Sequence, residues 1–469
     1  MSFDKPRVAP AAQGTHPTKS DPSQEDVNRR FKAAVAAYQA RDYIKALREL
    51  QPLLEAYPNS FEINEMTGLV YVALGQDDKA NTYLARAVQL RPNVAAACTT
   101  LAANLVRLHR DAEAEAMFRK VVGLEPGSYD ANHNLGEFYI QTGRLVLAIP
   151  YLERAYEINP RAYNNAYDLA LAYVQTGDLE KARGRLQELI RVSDTAELHV
   201  LLGEVEENAR HYLASAAQYE QAARMDPSEN NILAWGTELL LHQTFEPAVE
   251  VFKAGLARYP RSYRLETGLG IASYGLGQFD EGAGAFFQAS DMNPPEPLPL
   301  VFLGKAYENL SPPVAAEVRS RLKRFMETDP RNASVRYYYA MSLWKQSQGQ
   351  PQAAELAEIE SLLRTAISLD PEYADAYLQL GILYSSQRNY SDAISQYQQA
   401  LKYKPDVAVI HYRLGQALAR SGATARAQQE FAEFERLHAR EVTDTDRQTA
   451  DIQQFLYTVR NPKATAGRQ

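Results

Sequence analysis

The chain has 469 residues, with 50 Lys and Arg against 58 Asp and Glu and a formal charge of −8. That balance argues against nucleic acid or an anionic membrane as a general partner, since both call for clustered positive charge. Hydrophobic residues make up 45% of the chain and Cys98 is its single cysteine, so the composition is that of a folded protein and excludes an intrachain disulfide or a multi-cysteine metal centre.

From the N-terminus, residues 1–26 are rich in Pro, Ser, Gln and Thr and are expected to form a disordered tail. They hold no apolar run of signal-peptide length, and no later segment approaches about 18 consecutive apolar residues. The chain as written therefore reads as soluble and cytoplasmic, exported only if a signal precedes this start.

Beyond the tail, the chain is periodic. Pro58, Pro92, Pro126 and Pro160 stand 34 residues apart, and the interval continues, less regularly, through Pro227, Pro260, Pro294, Pro330, Pro371 and Pro405. A fixed period in this range marks one supersecondary unit stacked many times. With Pro92 taken as position 32 of its unit, about twelve units cover residues 27–440, starting near 27, 61, 95, 129, 163, 196, 229, 263, 297, 333, 374 and 408. Position 7 and position 11 are four residues apart and share one helix face, as with Leu380 and Tyr384. Small residues at positions 8 and 20 allow two helices to approach, and a large residue at 24 fills the remaining space. Glycine recurs at position 15 as Gly75, Gly143, Gly177, Gly277 and Gly422, where the first helix must end. Asp77, Asp178 and Asp280 then suit the start of the second helix.

Deviations are local. Asp194 replaces the fifth proline, and Gly282 stands where position 20 usually holds Ala. Pro312 and Pro313 fall in the ninth unit, and in the tenth SQGQPQAAELAE is expected to lengthen the turn. After the twelfth unit, residues 441–461 read as one capping helix with Ile452, Phe455, Leu456 and Val459 on an apolar stripe, and 462–469 as a second disordered tail.

Tyr377, Leu380, Gly381, Tyr384, Ala393, Tyr397, Ala400 and Pro405 fill every signature position of the unit at 374–407. The pattern resembles the tetratricopeptide repeat family, with Tyr in place of its Trp and Phe. The resemblance implies an all-α, right-handed α-solenoid (superhelix) of helix-turn-helix repeats with a C-terminal capping helix. It also implies that positions 2, 5, 9, 12 and 13 line a concave groove. Among these, His133, Glu137, Tyr167, Tyr274, Tyr337, Trp344 and Tyr412 are the candidate partner contacts, and His133 and Tyr167 should be neighbours one period apart. Some relatives clamp a terminal carboxylate with Lys at position 5, but this chain has Phe31, Glu65, Thr99, His133 and Tyr167 there. The asparagine ladder of sugar-transferring relatives is also missing, with only Asn134 at position 6 matching.

Catalytic motifs are absent: the chain contains no H-E-x-x-H, G-x-S-x-G or G-x-x-x-x-G-K-[ST]. The eight histidines are scattered with no close pair at ligand spacing, so no metal site and no cofactor are expected. Gly268, Gly270, Gly275 and Gly277 read as packing and turn positions and not as a phosphate loop. Arg319, Arg321, Lys323 and Arg324, beside Glu317, read as a solvated face of a second helix. Cys98 reads as buried filler. The expected function is a non-catalytic scaffold that recognises protein or peptide segments in the groove, without nucleic acid or membrane insertion. The alternative is an accessory subunit of an enzyme or of a secretion or assembly complex, inactive alone. No oligomeric state is specified by the pattern.

Overall fold

The computed structural model of the chain describes residues 24–347 and 352–440, and among these residues every regular element is a helix. The chain divides into two compact bodies, Met1–Arg185 and Leu186–Gln469. In the first, α1 (Gln24–Gln39) and α2 (Tyr43–Ala56), α3 (Phe61–Ala73) and α4 (Asp77–Leu90), α5 (Ala95–Arg107) and α6 (Asp111–Leu124), and α7 (Tyr129–Gln141) and α8 (Leu145–Ile158) form four hairpins. A fifth begins with α9 (Tyr163–Thr176) and ends with α10 (Leu179–Val192), within which the division falls.

The second body opens with hairpins α11 (Ala196–Asn208) with α12 (Tyr212–Met225), α13 (Glu229–Leu241) with α14 (Phe245–Arg258), and α15 (Tyr263–Gly275) with α16 (Phe279–Met292). Next comes α17 (Leu298–Ala306), followed by a 3-10 turn at Tyr307–Asn309 and then α18 (Pro312–Thr328). The hairpins α19 (Ala333–Gln346) with α20 (Ala353–Leu369) and α21 (Ala374–Ser386) with α22 (Tyr390–Tyr403) follow. Finally α23 (Ala408–Arg420) pairs with α24, residues 424–440. Within each body, helices pack on their sequence neighbours, and the first helices of successive hairpins also touch. This is an all-α repeat architecture.

Ten of the twelve first helices begin at the residue the period predicts. The first starts at Gln24, so residues 24–26 belong to helix and not to the tail; Glu25 and Asp26 suit a first helical turn, and Asp26 pairs with Arg30 one turn on. The ninth starts at Leu298 because Pro297 occupies its N-cap. The expected tail at 1–23, the capping helix and the final tail lie outside the described residues. Among those described, no helix is long and apolar enough to cross a membrane.

Close approach explains the small residues at position 8. A Cβ on Gly68, Gly136, Gly236, Gly270, Gly381 or Gly415 would lie 2.5–2.7 Å from the side chain at position 24 of the same repeat: Leu84, Leu152, Phe252, Phe286, Tyr397 or Phe431. Gly282 follows the same logic, since a Cβ there would sit 2.9 Å from the Gly270 carbonyl oxygen. The neighbouring Gly268 and Gly275 back onto Phe252 and Phe245, which accounts for that glycine cluster by packing.

Two expectations are corrected. The insertion in the tenth repeat does not simply lengthen a turn: residues 353–358 form the start of α20, which reaches 17 residues where most second helices have 14. Gln352 and Glu355 close a reciprocal capping box, and Ala, Glu and Leu are strong helix formers. The basic cluster is not a uniformly solvated face either. Lys323 and Arg324 are exposed, but Arg321 is half-buried, pairs with Asp291 at 2.6 Å and Glu317 at 2.7 Å, and covers the Phe287 ring. Arg319 donates to the Tyr307 hydroxyl at 2.8 Å.

Candidate binding site

In the first body, inward positions of adjacent repeats converge. Thr99, Ala103 and Val106 on α5 face Asn134, Glu137, Phe138 and Gln141 on α7 across a cavity of about 260 Å³, floored by Phe118 of α6. Glu137 is exposed and accepts from Gln141 Nε2 at 3.1 Å. One turn earlier, the half-buried His133 ring stacks on Tyr129 at 5.3 Å. Its Nδ1 lies 3.2 Å from Asn165 Oδ1 on α9, so the hydrogen bond across the period goes to Asn165. Tyr167 is half-buried and stacks on Tyr163 with centroids 6.4 Å apart.

Asp168, which no sequence pattern marks, joins this group. Burial raises its carboxyl pKa and Glu137 adds to the rise, while His133 opposes it. The Tyr129 phenol is likewise raised, by burial first and then by Asp130, Asp168 and Glu137. The result is an acidic, aromatic face on α7 and α9 beside the cavity.

The other candidates lie in the second body, in packing contacts. Tyr274 meets Phe279 edge-on at 5.1 Å, and its hydroxyl accepts from Asn309 Nδ2 at 3.1 Å. Tyr337 contacts Tyr338 at 5.0 Å and Tyr373 at 5.1 Å, and burial raises its phenol pKa. Trp344, on the same helix, packs against the hydrophobic core that runs from α19 to α24. Tyr412 is 37% exposed and rests on Phe431 and Phe434. A larger cavity of about 940 Å³ nearby is lined by Tyr390, Gln416, Arg388, Arg413 and Arg420.

One family model, described as tetratricopeptide repeat, matches residues 31–95, 99–163, 233–297 and 378–440, and a second of the same description matches 142–205. The chain belongs to the tetratricopeptide repeat family. No curated protein matches it in a sequence search. Solved structures similar to this tetratricopeptide repeat protein include Naa15/Naa10 bound to HypK-THB, at 14% identity over 92% of this chain and 79% of that one, TM-score 0.42. The Cut9–Hcn1 hetero-tetramer of APC/C is similar at 13% identity over 92% and 97%, TM-score 0.40. YrrB, described as a TPR protein with an unusual peptide-binding site, is similar at 17% identity over 39% and 94%, TM-score 0.36.

The tetratricopeptide signature leaves one polar cluster unexplained. Glu207 on α11, Glu238 on α13 and His242 at the end of α13 bring two carboxylates and an imidazole together, with their ligating atoms all within 4.8 Å of one another. His242 Nε2 lies 2.9 Å from Glu207 Oε2 and 3.5 Å from Glu238 Oε1. Burial and the facing Glu238 raise the Glu207 pKa against the pull of His242, and the two carboxylates hold the His242 pKa up despite its burial. The Tyr212 ring packs on the imidazole at 4.2 Å. Glu238 and His242 stand four residues apart on the sequence, a spacing visible without a structure; Glu207 is brought in only by the stacking of one repeat on the next. Cys98, by contrast, is fully buried, and burial raises its thiol pKa, so it lacks the marks of a reactive cysteine.

Proposed function

We propose that the chain is a non-catalytic scaffold whose first-helix face at the third to fifth repeats binds a protein or peptide segment. The observation that carries this reading is the cavity between α5 and α7, lined by Glu137, with Asp168 close enough to Glu137 and His133 to feel their charges. Aromatic surface supplies contact area at low entropic cost, and the carboxylates select for charge. A segment carrying Lys or Arg beside an apolar anchor of modest size fits that combination. Tyr274, Tyr337, Trp344 and Tyr412 are proposed as a second set of partner contacts, with Tyr412 the most accessible of the four.

The test uses the full chain and an array of synthetic peptides that pair basic with apolar residues. Binding measured by fluorescence anisotropy should weaken at least about tenfold in Glu137→Lys and in Tyr167→Ala. Peptides that bind both variants as tightly as the wild type would remove this face as the site.

A further inference from the structure

We propose that Glu207, Glu238 and His242 form a binding site for a divalent transition-metal cation of the zinc or manganese class, bridging the first helices of the sixth and seventh repeats. The geometry is close to what such an ion requires. Metal–ligand bonds of about 2.0–2.2 Å in a tetrahedral site place ligand atoms about 3.3–3.6 Å apart. The imidazole nitrogen already stands 2.9 Å and 3.5 Å from the two carboxylate oxygens.

A second observation points the same way. Glu238 is only 3% exposed, yet its Oε1 receives no hydrogen bond among the described residues, although it is aimed at His242. A buried carboxylate oxygen without a hydrogen bond is costly, and buried charges are held either by pairing or by coordinating a metal. A neutral imidazole with two carboxylates carries a charge of −2, which a divalent ion neutralises. The imidazole nitrogen suits zinc, the two carboxylates also suit manganese, and magnesium and calcium, which prefer oxygen alone, are disfavoured. Tyr212, stacked on the imidazole, holds the ring plane in place. Three protein ligands leave at least one coordination position open, and Glu207, with 29% of its side chain exposed, is the solvent-facing ligand.

The same three residues could instead be a hydrogen-bonded group with a protonated histidine between the carboxylates, and the experiment separates the two. Full-length protein stripped with a chelator is titrated with zinc chloride, and separately with manganese chloride, by calorimetry. The expected result is one cation per chain for the wild type. Affinity should fall at least about tenfold in Glu238→Gln and His242→Asn, and stay at the wild-type level in His109→Asn, a histidine outside the group. Glu207→Gln, at a part-exposed position, serves as a further variant in case substitution at buried Glu238 impairs folding. Zinc should also raise the melting temperature of the wild type and not of Glu207→Gln. Absence of binding in the wild type, or binding that all three ligand variants retain undiminished, overturns the proposal.

Discussion

At the scale of single residues, the turn that ends each first helix is set by register and not by residue type. Position 15 has a positive φ in ten of the twelve repeats: at Gly75, Gly143, Gly177, Gly277 and Gly422, and equally at Arg41, His109, Arg210, Gln243 and Arg388, with φ of 53–62°. The left-handed conformation costs a residue with a Cβ about 1–2 kcal/mol, of which glycine's greater loss of freedom on folding recovers only part. All five of the non-glycine residues are exposed, so their side chains fill no core. Arg41→Gly and His109→Gly should therefore stabilise their hairpins by about 0.5–1 kcal/mol, read as slower hydrogen exchange in α1–α2 and α5–α6. The converse is equally clean. A Cβ on Gly143 would meet nothing within 4 Å, so Gly143→Ala tests φ alone and should destabilise α7–α8 by about 1 kcal/mol. Unchanged exchange in all three variants would mean that the turn relaxes to another conformation at no cost.

At the scale of the element, the prolines that announce the period have a further role. In six repeats the side chain at position 4 of the first helix donates back to the carbonyl of the proline six residues earlier. Asn64 reaches Pro58 at 3.0 Å, Cys98 reaches Pro92 at 3.6 Å and Asn132 reaches Pro126 at 3.1 Å. Arg336 reaches Pro330 at 2.7 Å, Tyr377 reaches Pro371 at 3.2 Å and His411 reaches Pro405 at 2.9 Å. The chain thereby pins the end of one repeat to the start of the next. Asn132 is 2% exposed and also donates to the Ser128 carbonyl, so Asn132→Leu removes two hydrogen bonds made by a buried side chain and should cost about 1–3 kcal/mol. Tyr377→Phe, at a solvent-exposed bond, should cost under about 1 kcal/mol. Denaturant titrations that find the two variants equal would argue against this role for the buried bond. The device also marks what was legible beforehand. Proline spacing and the small residue at 20 are each dictated by one geometric need, so they recur as letters and place nearly every helix start, whereas position 15 holds Gly in only half of the repeats that share its left-handed turn. The donor at position 4 can be Asn, Cys, Arg, Tyr or His, so no single letter marks it and the pattern hides in the sequence. The candidate site divides in the same way. Inward positions led to Glu137 and Gln141 at the cavity, but whether an aromatic such as Tyr337 faces solvent or packs on Tyr373 depends on neighbours the frame does not specify.

At the scale of the whole molecule, hairpins that within each body touch chiefly their neighbours confine damage. Most stabilising contacts join a helix to the next one or to the corresponding helix one repeat away, so stability is a sum of repeat and neighbour terms and not the property of one shared core. Gly381→Ala tests this. The added methyl would lie 2.5 Å from the ring of Tyr397, which is 1% exposed and has little room to move. Overpacking of this kind costs about 1–3 kcal/mol, and in a nearest-neighbour chain that cost should appear only near its source. Hydrogen exchange followed by mass spectrometry should show faster exchange in α19–α24 and unchanged exchange in α11–α14 and in α3–α6. The control is Gly422→Ala, where the added methyl meets nothing within 4 Å and the effect should stay within α23–α24. If Gly381→Ala instead accelerates exchange equally in every repeat, the chain unfolds as one cooperative unit and the neighbour-by-neighbour account of its stability is wrong.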